Sequence, residues 1–209
     1  MTALSAALPL VSGWSVHSLW MRRRIETARR DPLTGLWTRA PFEQRARKSL
    51  SQQCQRAVLV LDLNRFKEIN DTLGHAAGDA VIRATGQRLG LWAEEHAGIS
   101  GRLGGDEFAV VIPGYGIDKL RSDLVMLTGR LDQPVPFEGR SIEVHTSIGA
   151  AYHRAGTDLS TLLRRADEQM YKAKQRGGGW RITHRLTVQE TSTVNGRRAG
   201  RRGTTGEAT

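Results

Sequence analysis

The chain of 209 residues is 39% hydrophobic and 25% charged, a balance suited to one globular core with extensions. Its single cysteine, Cys54, excludes an intrachain disulfide, and no Cys/His cluster has zinc spacing, so a reducing, cytoplasmic setting is expected for the domain. Of the formal charge of +10, residues 22–30 carry +4 and residues 185–209 carry +3, and such basic ends suit anionic headgroups; the chain carries no nucleic-acid-binding motif, so no specific nucleic-acid partner is expected.

Residues 2–21 contain no Asp, Glu, Lys or Arg. At about 1.5 Å per helical residue, such a stretch just spans a bilayer core of about 30 Å. Trp20 followed by Arg22-Arg23-Arg24 has the form of an interfacial anchor with a positive-inside flank. Residues 1–21 are therefore a candidate membrane-anchoring segment, with an interfacial helix as the alternative. Residues 22–30, with five Arg against Glu26, read as a basic linker.

Asp31-Pro32-Leu33-Thr34-Gly35 is a turn, and a helix starts near Pro41 with Phe42, Ala46 and Leu50 on one face. Ala57-Val58-Leu59-Val60-Leu61 is apolar throughout, as in a buried strand. A helical pattern covers residues 66–94, broken around Gly74-His75 and Gly78. Residues 99–112 read as a β-hairpin with Gly104-Gly105-Asp106-Glu107 at its tip. A helix fits residues 117–131, a strand fits 142–151, and a last helix fits 158–175, with Leu162, Ala166, Met170 and Ala173 inward. Residues 185–209 are polar, Gly-rich and Arg-rich, a composition expected to be disordered.

The element order is the βαββαβ pattern of ferredoxin-like and palm-type α+β domains. In that topology the first and third strands are antiparallel neighbours. The first ends at Asp62 and the third begins near Glu107, so Asp62 is predicted to meet the hairpin tip.

Asp62 and Asp106 at one point, with Glu107 adjacent, make a hard oxygen site suited to Mg²⁺; the alternative is a salt-bridged surface cluster using Arg102. Lys67 falls in the first turn of the helix after the strand, where free N–H groups attract an anion; it is either a phosphate ligand or a solvated lysine. Asn70 and Asp79 flank the glycine break. Asp79 either caps the following helix or accepts the N1–H and N2–H of a guanine. Lys174, near the end of the last helix, either offsets the helix dipole or reaches a phosphate.

Five segments in order carry a family resemblance: Asp31 to Leu36, Asp62 to Asp79, Arg102 to Phe108, Ser147 to Ala150, and Ala166 to Lys174. Over residues 31–182 the chain resembles the GGDEF-family diguanylate cyclases. The resemblance implies a cyclase domain at residues 31–184 that condenses two GTP into cyclic di-GMP, releasing two pyrophosphates. It implies a homodimer in which each subunit presents one GTP, and two Mg²⁺ per active site, with Mn²⁺ as the alternative ion. By family position Asp62, the carbonyl of Leu63 and Asp106 bind the metal, Glu107 supports it, and Asp106 is the proton acceptor. Asn70 and Asp79 read guanine; the N–H groups of Arg65 and Phe66, with Lys67 and Lys174, hold phosphates. Together with the apolar segment, this implies the inner membrane with a cytoplasmic catalytic domain, or, as the alternative, a cytoplasmic protein.

Three positions depart from the family pattern. Asn64 stands where the family has a second acid. Gly177-Gly178-Gly179 stands for Gly-Arg-Asn, removing a phosphate-binding arginine at Gly178. Glu95-His96-Ala97-Gly98 replaces the Arg-x-x-Asp product-inhibition site, so no feedback inhibition through it is expected.

Overall fold

The computed structural model describes residues 29–52, 55–153 and 156–183. The candidate membrane segment, most of the basic linker and the Arg-rich tail lie outside the described residues. Among those described, no helix is long and apolar enough to cross a membrane.

The elements run β1 (Trp37–Thr38), α1 (Arg39–Leu50), β2 (Arg56–Leu63), α2 (Phe66–Leu73), α3 (His75–Glu95), β3 (Ile99–Gly104), β4 (Glu107–Pro113), α4 (Ile117–Leu131), β5 (Val135–Phe137), β6 (Arg140–Ile142), β7 (Thr146–Tyr152), α5 (Leu159–Lys174) and β8 (Gly179–Thr183). Six strands form one sheet in the order β1-β3-β4-β2-β7-β8, while β5 and β6 pair apart from it. The expected palm-type arrangement is present: β2 lies between β4 and β7 and runs antiparallel to both.

The apolar run at residues 57–61 of β2 follows from its place at the centre of the sheet, covered on both faces. Leu59, Leu61 and Leu63 alternate onto one face and pack under α3 and α4, with Phe108, Leu89, Leu124 and Leu127. Val58 and Val60 face the other way and pack against Phe42 and Ala46 of α1 and Leu162, Ala166 and Met170 of α5. Asp62 has the parity of this second face. The pleat therefore sends a carboxylate into the layer between the sheet and α5.

Four strands escaped the sequence reading. β1, β5 and β6 have two or three residues each, too short for a period of two to emerge. β8 opens on Gly179, the end of a glycine run, and pairs parallel to β7. The strand expected over 142–151 is β7, which begins only at Thr146, after β6 has ended at Ile142. There Asp132 intervenes, its Oδ1 accepting from the Thr146 N–H at 2.9 Å and from Oγ1 at 2.8 Å.

Candidate functional site

Registry across the sheet puts Gly179, Ser147, Asp62 and Glu107 in one row, over β8, β7, β2 and β4. Asp62 and Glu107 are direct cross-strand partners, as the topology predicted. Asp106 precedes Glu107 in the β3–β4 turn. That turn requires glycine, with φ of +153° at Gly104 and +48° at Gly105.

Helix α5 closes the row from above. A Cβ at Gly149 would lie 1.9 Å from the Ala166 carbonyl oxygen and 2.2 Å from the Met170 nitrogen, so only glycine lets the helix lie this close on β7. The last residue of α5, Lys174, then extends its Nζ to 2.5 Å from Asp62 Oδ1. Lys174 therefore meets the acidic row from the end of α5, a contact neither reading of it had included. Burial raises the Asp62 pKa; the Lys174 hydrogen bond works against this, and the charges of Asp106 and Asp167 push it up further. The charge of Asp106 thus reaches Asp62.

Arg102 pairs with Asp31 and not with the acids of the row. Its NH1 bonds both oxygens of Asp31, at 3.1 and 3.0 Å. Its Nε and NH2 donate to the Gly105 carbonyl at 3.0 and 2.7 Å. Asp31 also accepts from the N–H and hydroxyl of Thr34. No local pattern signals this role of Arg102, because Asp31 lies 71 residues away in the chain. Glu107 turns instead to the rim of α1, where Arg39 NH2 lies 3.6 Å away. Among the described residues no three His, Cys, Asp or Glu side chains converge as a ready-made metal cage. Physically, Glu107 is drawn aside by Arg39 and Asp62 is engaged by Lys174. What remains at the centre is oxygen chemistry, a desolvated carboxylate beside a second one, which suits a hard divalent cation sharing its shell with phosphate.

After β2, Arg65 adopts left-handed backbone (φ +56°) and precedes the first turn of α2, where Phe66 and the exposed Lys67 sit. Gly74 separates α2 from α3, with φ of +84°. A Cβ at Gly78 would lie 2.0 Å from Asn70 Oδ1, so glycine there lets Asn70 pack against the turn that carries Asp79. Asp79 is exposed within α3 and Gly74 occupies the N-cap, so Asp79 is not that helix's cap. The predicted site residues thus form two groups: Asp62, Leu63, Asp106, Glu107 and Lys174 at the sheet end, and Arg65, Phe66, Lys67, Asn70 and Asp79 on the α2–α3 pair.

The family model described as "Diguanylate cyclase, GGDEF domain" matches residues 28–179. The chain belongs to the GGDEF family. A protein of Streptomyces ambofaciens, described as an uncharacterized 19.3 kDa protein in the repSA 5′ region, is 44% identical over 171 residues, covering 81% of this chain and 90% of its own. The diguanylate cyclase TpbB of Pseudomonas aeruginosa is 39% identical over 163 residues, 74% of this chain but only 37% of TpbB. The solved GGDEF domain of TpbB superposes with a TM-score of 0.68 at 36% identity, covering 73% of this chain and 93% of that one. The coiled coil and GGDEF domain of DgcB from Caulobacter crescentus, in complex with c-di-GMP, gives a TM-score of 0.78 over 87% of this chain and all of that one; at 23% identity it speaks for the fold alone.

Proposed function

We propose that this GGDEF domain is a diguanylate cyclase, condensing two GTP into cyclic di-GMP at the interface of a homodimer. The observation that carries the reading is the meeting of Asp62 with the Asp106–Glu107 turn, beneath Lys174. In each of two steps the 3′-oxygen of one GTP forms a bond to the α-phosphorus of the other. The bond from that phosphorus to the β-phosphate bridging oxygen breaks, and pyrophosphate leaves. Asp106 accepts the 3′-hydroxyl proton.

Asp62, the Leu63 carbonyl and Asp106 would hold Mg²⁺ or Mn²⁺, which when bound supplies positive charge to the phosphate oxygens. Glu107 supports that end from the rim. Lys174 and Lys67 bind phosphate, with the N–H groups of Arg65 and Phe66 at the start of α2. Asn70 and Asp79 read the guanine edge, where a carboxylate accepts two donors that adenine lacks.

One observation favours a second reading, a GTP-binding module without turnover. Gly178 supplies no side chain to a phosphate, and Asn64 lies against it. The test incubates full-length protein with GTP and Mg²⁺ and identifies nucleotides by chromatography and mass spectrometry, beside Asp106→Ala. Cyclic di-GMP from the native protein, and a loss of at least about 100-fold in the variant, is the expected outcome. Mg²⁺-dependent GTP binding with no product at high protein concentration would select the second reading.

A further inference from the structure

Asn64, one residue past the end of β2, is tied in three directions. Its backbone N–H donates to the His145 carbonyl at 2.8 Å. Its Oδ1 accepts from the Ser147 hydroxyl at 2.7 Å, and its Nδ2 donates to the Gly177 carbonyl at 3.3 Å. Ser147 is fully buried and directly opposes Asp62 in the sheet. Gly177 belongs to the turn after α5, in which Gly177, Gly178 and Gly179 all have positive φ (95°, 124° and 80°).

This turn continues directly from Lys174. The Gly177 N–H donates to the Lys174 carbonyl at 3.1 Å, and the Gly178 N–H to the Ala173 carbonyl at 3.1 Å. Asn64 therefore holds a turn that is itself bonded to the backbone of the lysine above Asp62. Its amide nitrogen lies close against the glycine: a Cβ at Gly178 would be 2.7 Å from Asn64 Nδ2 and 3.2 Å from the Thr146 carbonyl oxygen. A side chain at 178 would displace Asn64. The two departures from the family pattern, at 64 and 178, are thus one local arrangement.

We propose that Asn64 is a positioning residue, which fixes the turn after α5 so that Lys174 is held over Asp62, and acts on the site through Lys174. The inference takes its catalytic readout from the cyclase reading, but its second readout is independent of turnover. The experiment compares full-length native protein, Asn64→Ala, Lys174→Ala and the double variant, with Gly178→Ala as a second way to displace the amide. Asn64→Ala is expected to lower kcat/KM for GTP about 10-fold, chiefly through KM, the size typical of losing a group that orients a ligand-binding side chain. In the Lys174→Ala background the same change should cost less than about twofold. Gly178→Ala should reproduce the Asn64→Ala loss, and Asn64→Asp should fail to restore activity because it cannot donate to Gly177.

In parallel, urea unfolding of the same four proteins should show losses smaller in the double variant than the sum of the singles. Additive losses in unfolding overturn the inference, as does an Asn64→Ala loss of activity undiminished by Lys174→Ala. Should the native protein make no cyclic di-GMP, the cyclase reading fails, and the unfolding comparison alone decides whether Asn64 acts through Lys174.

Discussion

Asp62 sits in the fold at some cost. The pleat sends its carboxylate beneath α5, and burial raises its pKa more than the hydrogen bond from Lys174 lowers it. A carboxyl with a raised folded-state pKa holds its proton more tightly when folded, so its ionisation draws stability away as pH rises through that interval. The penalty is fully present once the pH lies above the folded-state value. An uncharged isostere should therefore relieve it. Asp62→Asn is expected to abolish cyclic di-GMP formation while leaving the thermal midpoint unchanged or higher by about 1–3 °C. A clear fall in the midpoint, measured by calorimetry at pH 7, would show instead that the Lys174 contact outweighs desolvation. This is the pattern of a residue kept for chemistry.

At the scale of elements, the notable joint is the one between the incoming chain and the acid-bearing turn. Asp31 precedes β1, Arg102 lies on β3 and Gly105 is in the β3–β4 turn, yet one guanidinium bonds the first and the last. Burial works to raise the Asp31 pKa, but hydrogen bonds from Thr34 and Arg102, with the charge of Arg102, outweigh it and hold the carboxyl below its ordinary value. A lowered folded-state pKa stabilises the fold above the unfolded value of about 3.9 and loses that contribution as pH falls through the folded-state value. Arg102→Ala is expected to cost about 2 kcal/mol at pH 7 by urea unfolding, the scale of a half-buried charge-assisted contact. The gap to the native protein should narrow as the pH is lowered below about 3.9; an equal gap at pH 7 and pH 3 would refute the assignment to Asp31. The long elements were legible because their signals are local: the apolar run of β2, the helical spacing of Leu120, Leu124 and Leu127, the glycines of the hairpin. So was the meeting of Asp62 with Glu107, which follows from strand order. The Arg102–Asp31 link and the Asn64–Gly177 tie were not, because each joins residues distant in the chain through side-chain geometry that no periodicity encodes.

For the molecule as a whole, each chain offers one row of acids and one proposed base-reading pair, whereas the proposed product joins two guanosines through two equivalent bonds. The segment where family members carry an inhibition site is closed on itself: Arg130 NH1 bonds Glu95 at 2.9 Å, and His96 Nε2 lies 3.3 Å from Asp123. Glu95 is thus engaged by Arg130, and added cyclic di-GMP should leave initial rates unchanged through this segment. Inhibition that disappears on replacing Glu95 would refute this. Assembly is a second intrinsic control that the proposed chemistry implies. If each subunit presents one GTP, a monomer cannot complete either bond, and the rate follows the concentration of dimer. Below the dimer dissociation constant, dimer concentration falls as the square of total protein, so activity per molecule falls in direct proportion to dilution. Specific activity measured from micromolar to nanomolar protein should therefore be flat at first and then decline about 10-fold per 10-fold dilution. Tethering two copies through a flexible linker should remove the decline, because a short linker supplies an effective concentration in the millimolar range. A specific activity constant to nanomolar protein, with sedimentation showing only monomers, would refute the shared site.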